Sequence, residues 1–577
     1  MKWISRKPKV TPNEDDLIID KIAKIRGIKD TNRFLNPTQD EMFDPYLIKN
    51  IEEASKRLIR AINMDEQVLF SYDADADGLT STSMMIRQLM TYTDNVDYIY
   101  NERNHGHGIH EQTKLNFVTS EDMDENGVIK DEYKRSRYEL NLENLEKIKK
   151  SDLLVIVDSS SNDTEACEML MREYGVDILI IDHHAIEKEN PNVLLVNPQQ
   201  DGDEYPNKFL SGAGVAFKVV QVMEEMLGEH SKVDPFDYMD LVAVGMYADI
   251  MRIDVYENRY MIMHGLRNIK NVGIKRILKG AKADLYKLNG DSIGFSIAPM
   301  MNGVARLDNI KLGIDILLTD DDNVAKKLRL QMHKLNEKRK VMQKEIVERY
   351  MGQVNTSEKV LMVMDEDSSK GFNGLVSQQL AQKFKRPALV GRLHKGKFSG
   401  SFRSYGGFNL KKFLNESGLV EESMGHNQAG GFTIKEENIE ELLTYVDWNL
   451  PNLSETEENV VYDIEINADE INNEVIKAFE QFNLVTGNGF PKIITRVNGI
   501  LIEKVETIGK TAETRKFKTF DELELIKFKV NGAYGAEIDM FDSIDALGKL
   551  HMNEFYNFAV KKKISTPQIM LEGYRKS

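Results

Sequence analysis

Cysteine is almost absent from this sequence, which has one, Cys167, in 577 residues. A single cysteine excludes an internal disulfide framework and is typical of a reducing cytosol. We expect Cys167 to be a small buried apolar residue, with a reactive thiol as the alternative. No apolar run approaches the ~18–20 residues of a membrane span, and the start "MKWISRKPKV" lacks the apolar core of a signal peptide. We therefore expect a cytoplasmic protein without membrane partners.

Acidic residues are missing from one long tract of an otherwise acidic chain. The formal net charge is −17, which argues against indiscriminate nucleic-acid binding. Between Ser368 and Asn415, however, there is no Asp or Glu, and there are ten Lys or Arg. One interpretation of this tract is a solvated basic face. The other, which we favour in an acidic protein, is a local anion-binding surface.

The first half of the chain alternates apolar runs with helical patterns, which predicts βαβ units and a parallel sheet. Three apolar runs are predicted to be buried strands: "EQVLFSY" (Glu66 to Tyr72), "DLLVIVD" (Asp152 to Asp158) and "DILIID" (Asp177 to Asp182). The class of fold is therefore α/β.

The second half begins with a long predicted helix, because Val324 to Tyr350 has no Gly or Pro and carries apolar residues at helical spacing. A smaller α/β unit follows as far as about Trp448. The polar stretch "NLPNLSETEEN" (Asn449 to Asn459) is a predicted linker. Short strand-like runs after Val460 predict a small β-barrel.

Each of the three predicted strands ends in acid. The residues are Asp73, Asp75 and Asp77 after the first strand, Asp158 after the second, and Asp182, His183 and His184 after the third. Ligands of open parallel sheets bind outside the carboxyl ends of the strands, so we expect these side chains to meet. Converging carboxylates repel one another and need a cation. Oxygen ligands with one or two histidines suit Mn²⁺ or Mg²⁺.

The alternative for each acid is a helix N-cap, since Asp is common where a strand turns into a helix. A D-x-D-x-D-G stretch, a strand-ending Asp and an Asp-His-His stretch in order are hard to explain as three caps. Gly78 after the acids permits a tight turn into the next helix. The sequence therefore predicts a metal site.

These motifs resemble those of a known protein family. "DADADG", "VDSS" and "IDHH" resemble the first three motifs of the DHH phosphoesterase family, and "GMYADIMRI" resembles a fourth. "GFNGLVSQQLAQKFKRPALV", "SGSFRS" and "GHNQAGG" resemble the DHH-associated domain of RecJ-like single-strand-specific exonucleases within that family. The likeness keeps motif order from about Phe34 to the C-terminus.

The resemblance implies a role for particular residues. It implies metal ligands at Asp75, Asp77, Asp158, His183 and Asp249, for one or two Mn²⁺ or Mg²⁺ ions. Asp73 and Asp182 would orient ligands, with Asp73 also able to reach a metal, and His184 would contact the scissile phosphate. Contacts to nucleic-acid phosphates would come from Asn302, Arg306, Ser401, Arg403, Ser404 and His426.

The chain departs from the family pattern at three places. Ser159 and Ser160 stand where relatives carry Cys-Gly, and Met424 stands where a glycine is usual. His107, in "GHGI", replaces an aromatic residue. None of these departures removes an implied metal ligand, so they bear on substrate detail more than on chemistry.

Two glycine-rich stretches allow more than one interpretation. "SGAGVAF" has part of a dinucleotide-loop pattern but no strand directly before it, so we interpret its glycines as close helix packing. "SGSFRSYGGFNLKKF" interleaves Ser, Arg and Lys with aromatic residues. That pattern favours phosphate binding and base stacking over a plain strand with a basic face.

The resemblance implies four parts: a DHH domain with an N-terminal extension (1–323), a connecting helix (324–352), a DHH-associated substrate-binding domain (353–450) and an OB-like nucleic-acid-binding barrel (460–577). It implies a monomeric 5′-to-3′ exonuclease acting on single-stranded DNA, with a single-strand-binding protein or a helicase as candidate partners. The alternatives are a phosphodiesterase of short oligoribonucleotides or cyclic dinucleotides, and an inactive replication scaffold. A metal-dependent pyrophosphatase fits the length and the basic tract least.

Overall fold

A parallel sheet forms the first half of the chain, as predicted. The structure is a computed structural model that describes residues 1–124, 127–455, 459–509, 513–530, 533–557 and 561–577. The strands of this sheet, in spatial order, are Val96–Tyr100, Val68–Tyr72, Leu153–Val157, Asp177–Ile181 and Leu194–Val196. All neighbouring strands are parallel. The central strands are buried along their length because helices cover both faces, which is why they are apolar without alternation.

The register of this sheet places the strand ends side by side. Tyr72 is paired with Val157, and Val157 with Ile181. The residue that follows each strand therefore lies at one edge of the sheet. Cys167 is fully buried in the core on one face, and burial raises the pKa of its thiol to about 12, so it is the apolar residue we expected.

Helices surround this sheet and continue from it. They are Ile51–Asn63, Ala76–Met90, Gly108–Thr113, Glu132–Ile148, Thr164–Tyr174, Gly212–Leu227, Met239–Ala248, Tyr256–Arg267, Val272–Gly280, Gly290–Ser292, the π-helix Ile293–Ile297, Ala298–Ala305 and Lys311–Leu318. The long predicted helix spans Asp322–Met351, and the carboxylate of Asp321 caps its first turn. It packs against Ala298–Ala305 and Lys370–Phe384.

A second, mixed sheet follows the long helix. Its strands, in spatial order, are Val420–His426, Ala429–Lys435, Lys397–Arg403, Ala388–His394 and Leu361–Met364. The last two strands are parallel and the others antiparallel. The helices are Lys370–Phe384, Leu410–Glu416 and Ile439–Asn449. Phe398, Phe402 and Phe432 lie in its apolar core.

The C-terminal strands close into the barrel that the sequence predicted. They are Ile464–Asn467, Thr495–Ile508, Thr514–Thr519, Glu524–Phe528, Lys562–Lys576 and Ser543–Asn557. Thr495–Ile508 pairs with both Thr514–Thr519 and Ser543–Asn557, and this second pairing closes the sheet on itself. The fold class is therefore confirmed as α/β with a C-terminal β-barrel. Residues 456–458 of the predicted linker lie outside the described residues.

The chain divides into two compact units. One consists of residues 43–251 and 261–456 and contains both α/β sheets. The other consists of residues 1–42, 252–260 and 457–577. In this second unit the strand Lys2–Ser5 pairs with Asn459–Tyr462, and the helices are Ile18–Arg26, Thr31–Leu35 and Asn473–Phe482. Among the described residues, no helix combines the length and the apolar composition that a membrane crossing requires.

Candidate metal centre

Acidic side chains meet at the carboxyl edge of the parallel sheet. Asp73, Asp158 and Asp182 each follow a strand whose last residue is in register with its neighbour. Asp75 begins the helix Ala76–Met90, where its Oδ1 accepts hydrogen bonds from the backbone N–H groups of Asp77 and Gly78. The N-cap interpretation is therefore correct for one oxygen of Asp75. It does not account for the other acids.

Asp77 is held by the start of a second helix. Its carboxylate accepts hydrogen bonds from Ser211 Oγ at 2.8 Å, Gly212 N at 2.7 Å and Ala213 N at 3.1 Å. These donors belong to "SGAGVAF". A Cβ on Gly212 would lie 2.5 Å from Asp158 Oδ1, so this glycine lets the helix approach the acids. Close packing explains the glycine, and the same stretch also positions Asp77.

His183 lies at the centre of three carboxylates. Its Nε2 is 3.2 Å from Asp158 Oδ1, 3.5 Å from Asp249 Oδ2 and 3.9 Å from Asp77 Oδ2. Asp249 follows the helix Met239–Ala248, far along the chain from the strands. Four of the five residues that the resemblance implied as metal ligands therefore surround one point.

Asp158 is the most constrained of these acids. It is buried and has a left-handed backbone conformation, with φ of 64°. Burial and the charge of Asp77 raise the pKa of its carboxyl well above the usual value. Its Oδ1 accepts no hydrogen bond from the described residues, because His183 Nε2 lies near it without hydrogen-bonding geometry. A buried carboxylate oxygen without a donor calls for a cation.

Burial and nearby negative charge also raise the pKa of two neighbouring acids. Burial and the negative charge of Asp77 raise the pKa of Asp249 to about 8. Burial and Asp73 raise the pKa of Asp75. Ligand atoms lie within 4.8 Å of one another in three sets: Asp77, His183 and Asp249; Asp73, Asp75 and Asp158; and Asp158, Asp182, His183 and His184. Carboxylate and imidazole donors in this arrangement fit Mn²⁺ or Mg²⁺.

Asp182 orients the histidine pair. Its Oδ1 contacts His184 Nδ1 at 2.7 Å and accepts from the backbone N–H of His183, and its Oδ2 accepts from Ser161 Oγ. Burial alone would lower the pKa of His184, but the hydrogen bond to Asp182 raises it to about 9. Asp182 therefore fixes one nitrogen of the His184 ring and leaves Nε2 for another partner.

Asp73 contacts a histidine that the sequence did not assign to the site. His107 Nδ1 lies 2.8 Å from Asp73 Oδ1. Burial raises the pKa of Asp73, but the positive charge and hydrogen bond of His107, together with Arg103 and the backbone N–H of Ala74, outweigh burial and lower that pKa to about 2. The sequence signal for this contact was the stretch "GHGI", in which a histidine stands where an aromatic residue is usual in the family.

Arginines gather beside the acids. Arg306 Nη1 donates to the carbonyl of Gly371 in the second α/β sheet region. Burial, with the like charges of Arg103, Arg339 and Arg403, lowers the pKa of Arg306 to about 9. Arg103 also reaches the edge of the metal centre, since its Nη1 lies 3.9 Å from Asp75 Oδ2. The resemblance implied Arg306 and Arg403, whereas no pattern in the sequence pointed to Arg103 and Arg339, which lie on other elements.

The other residues that the resemblance implied as phosphate contacts lie in different environments. Asn302 Oδ1 and Ser404 Oγ are buried atoms that have no hydrogen-bond partner among the described residues. Ser401 lies on the strand Lys397–Arg403. His426 is exposed at the end of the strand Val420–His426.

Family models match two segments of the chain. Residues 67–246 match the N-terminal domain of the DHH family, and residues 462–568 match the RecJ OB domain. The chain therefore contains one segment similar to the DHH N-terminal domain and one similar to the RecJ OB domain. The first match spans the strand-end acids, and the second spans most of the barrel.

Relatives with known names are similar over most of the chain. The single-stranded-DNA-specific exonuclease RecJ of Bacillus subtilis is 28% identical over 559 residues, which cover 93% of this chain and 65% of that protein. RecJ of Haemophilus influenzae is 26% identical over 82% of each chain. The chain thus spans just under two thirds of the length of the B. subtilis protein.

Solved structures support the fold. The crystal structure of RecJ from Thermus thermophilus in complex with Mn²⁺ matches with a TM-score of 0.76 at 21% identity, over 100% of this chain and 79% of that one. A crystal structure of exonuclease RecJ bound to manganese matches with a TM-score of 0.54 at 26% identity, over 70% of this chain and 96% of that one.

Proposed function

We propose that this chain is a metal-dependent exonuclease that hydrolyses phosphodiester bonds of single-stranded DNA from the 5′ end and releases nucleotides. The observation that carries the proposal is the convergence of Asp77, Asp158 and Asp249 on His183 Nε2, with one buried oxygen of Asp158 left without a donor. The substrate and the direction come from the likeness to RecJ proteins.

The chain's own residues would hold one or two Mn²⁺ or Mg²⁺ ions. The ligands would be Asp75, Asp77, Asp158, His183 and Asp249. A bound divalent ion supplies Lewis-acid polarisation of a phosphoryl oxygen and a water of lowered pKa. Ser211, Gly212 and Ala213 hold Asp77 in place for this role, since they donate three hydrogen bonds to its carboxylate.

His184 would contact the scissile phosphate. Asp182 binds Nδ1 of the ring, keeps the imidazole protonated at neutral pH and thereby favours a charge-assisted hydrogen bond to a phosphate oxygen. Ser161 and the backbone of His183 in turn satisfy the carboxylate of Asp182, so the pair is positioned before substrate arrives.

The arginine group would hold the rest of the strand. Arg306 and Arg403 lie close enough for each charge to disfavour the other, which a polyanion relieves. Asn302 Oδ1 and Ser404 Oγ, buried and unpartnered among the described residues, would take further contacts to the DNA backbone. Ser401 and His426 would contribute from the same sheet.

Two alternatives are less well supported. An inactive scaffold would have no need of the metal ligands, and this chain keeps all five of them at one edge of the sheet. A phosphodiesterase of very short RNAs or cyclic dinucleotides has no evident use for the C-terminal barrel, which matches the RecJ OB domain over residues 462–568.

The test is to compare hydrolysis of four substrates by the purified full chain with Mn²⁺ or Mg²⁺: a long single strand of DNA, the matched duplex, a short oligoribonucleotide and a cyclic dinucleotide. We expect the single strand of DNA to be degraded fastest. Asp158→Ala should abolish hydrolysis of every substrate.

The matched control is Asp177→Ala. Asp177 is an exposed acid at the opposite end of the neighbouring strand, and its only charged partner among the described residues is Arg57. The Asp177→Ala variant should retain wild-type activity. Faster hydrolysis of the oligoribonucleotide or the cyclic dinucleotide than of the single strand of DNA would refute the proposed substrate.

A further inference from the structure

The imidazole of His107 is bonded to an acid at the metal centre. Its Nδ1 lies 2.8 Å from Asp73 Oδ1, and its ring meets that of His184 edge-on with centroids 5.4 Å apart. The side chain of Asp73 is 12% exposed and that of His107 is 53% exposed. His107 is therefore the outer member of the pair, and it can move without opening the core.

The backbone that follows His107 is held in place. Ile109 N donates to Ser160 Oγ at 2.9 Å. Gly108 has φ of 80°, and a Cβ there would lie 2.4 Å from Asp163 Oδ2, so the loop packs tightly on its neighbour. A side chain on a fixed backbone loses little entropy when it forms a hydrogen bond. The contact between His107 and Asp73 is therefore built into the fold.

Asp73 does not belong to the same group of ligand atoms as His183. The first group consists of Asp77, His183 and Asp249, and among the described residues no hydrogen bond or ion pair joins His107 to any of them. Asp158 Oδ1 lies 3.2 Å from His183 Nε2, so Asp158 also borders this group. The second group consists of Asp73, Asp75 and Asp158. An ion in the second group would need the oxygen that His107 holds, whereas an ion in the first would not.

We propose that His107 controls occupancy of the second metal position by competing with the ion for Asp73. The inference rests on the proposed metal centre. While His107 Nδ1–H donates to Asp73 Oδ1, an incoming cation must displace that donor before it can bind the oxygen. The first position fills without this step. The chain therefore holds one ion tightly and a second one weakly.

The test measures Mn²⁺ binding to the full chain without DNA, by electron paramagnetic resonance of free Mn²⁺ and by calorimetry. Wild type should show one tight and one weak site. His107→Phe, which cannot donate, should tighten the second site by about 10- to 100-fold, the factor that corresponds to a hydrogen bond to a charged group. The first site should stay unchanged.

A conservative variant separates the hydrogen bond from the ring. In His107→Asn the amide N–H can take the place of Nδ1–H, so the wild-type pattern of one tight and one weak site should be kept. His110→Phe is the matched control, because His110 is an exposed histidine of the short helix Gly108–Thr113, which begins directly after His107. In the His107→Phe background, Asp73→Asn should weaken the second site again.

Two results would overturn the proposal: equal second-site affinity in His107→Phe and wild type, or a His107→Asn variant that behaves like His107→Phe. Circular dichroism checks each variant, and His107→Leu replaces the phenylalanine variant if that one misfolds. A wild-type chain that binds no Mn²⁺ would overturn the metal centre itself. That failure differs from a failure of the His107 proposal, because it would appear in the wild-type chain before any variant is compared with it.

Discussion

Replacing Asp158 by asparagine should stabilise the metal-free protein while it removes metal binding. Asp158 is buried among acids, and burial together with Asp77 raises the pKa of its carboxyl well above the usual value. A carboxyl that is neutral in the fold and ionised in the unfolded chain costs about 1.4 kcal/mol for each pH unit between its unfolded pKa of ~3.9 and its raised folded pKa. Asparagine has the same shape and carries no such cost.

The expected gain depends on pH with a definite sign. Because the folded pKa of Asp158 is raised, the wild-type group contributes full stability only below the unfolded value, and that stability is lost as pH rises towards the folded value. The gain of Asp158→Asn should therefore be near zero at pH 4 and grow to at most about 4 kcal/mol at pH 7. Urea unfolding in excess chelator at several pH values measures it.

Asp240→Asn is the control. Asp240 is also buried, and burial raises the pKa of its carboxyl, but the backbone N–H groups of Leu241, Lys270 and Asn271 donate hydrogen bonds to it and oppose that rise. Its replacement should destabilise the fold by about 1–3 kcal/mol because an amide cannot accept from all three donors. The reasoning is refuted if Asp158→Asn is no more stable than wild type in chelator at pH 7, or if its unfolding still responds to Mn²⁺.

Three further outcomes are expected. Arg403→Ala should weaken single-strand binding by about 1.5–3 kcal/mol and leave Mn²⁺ affinity unchanged, as judged by fluorescence anisotropy and calorimetry. Burial raises the pKa of Glu102 to about 7, so wild-type stability falls as pH rises from the unfolded value of ~4.3 to about 7 and then levels off, and Glu102→Gln should gain up to about 3 kcal/mol at pH 8 in urea unfolding. A chain ending at residue 455 should aggregate in light scattering, because Lys2–Ser5 loses its partner strand and Arg26 loses Asp463; a monodisperse product would contradict this.

The acids were predictable because they follow from local pattern and one rule of topology. Buried apolar strands that alternate with helices predict a parallel sheet. Because these strands end in register, Asp73, Asp158 and Asp182 are neighbours in space. Asp249 was identified through the resemblance alone, since a helix end carries no local signal of what lies beside it.

The supporting contacts were not predictable from the sequence. Ser211 donates to Asp77 across 134 positions of the chain, and no periodicity encodes that pairing. Arg103 and Arg339 join Arg306 from a loop and from the long helix, which only tertiary packing brings together. Residues 1–42 share a compact unit with the C-terminal barrel through pairs such as Arg26 with Asp463, which lie 437 positions apart in the chain.

The most direct test of the account is a time course of hydrolysis on one single strand of DNA, labelled at either end, with Mn²⁺ and with excess chelator. The account predicts that with Mn²⁺ the 5′ label is released at once in a short product, while the 3′ label appears in a ladder of shortening strands. In chelator both labels should stay on the intact strand. Degradation in chelator, or immediate release of the 3′ label, would contradict the account.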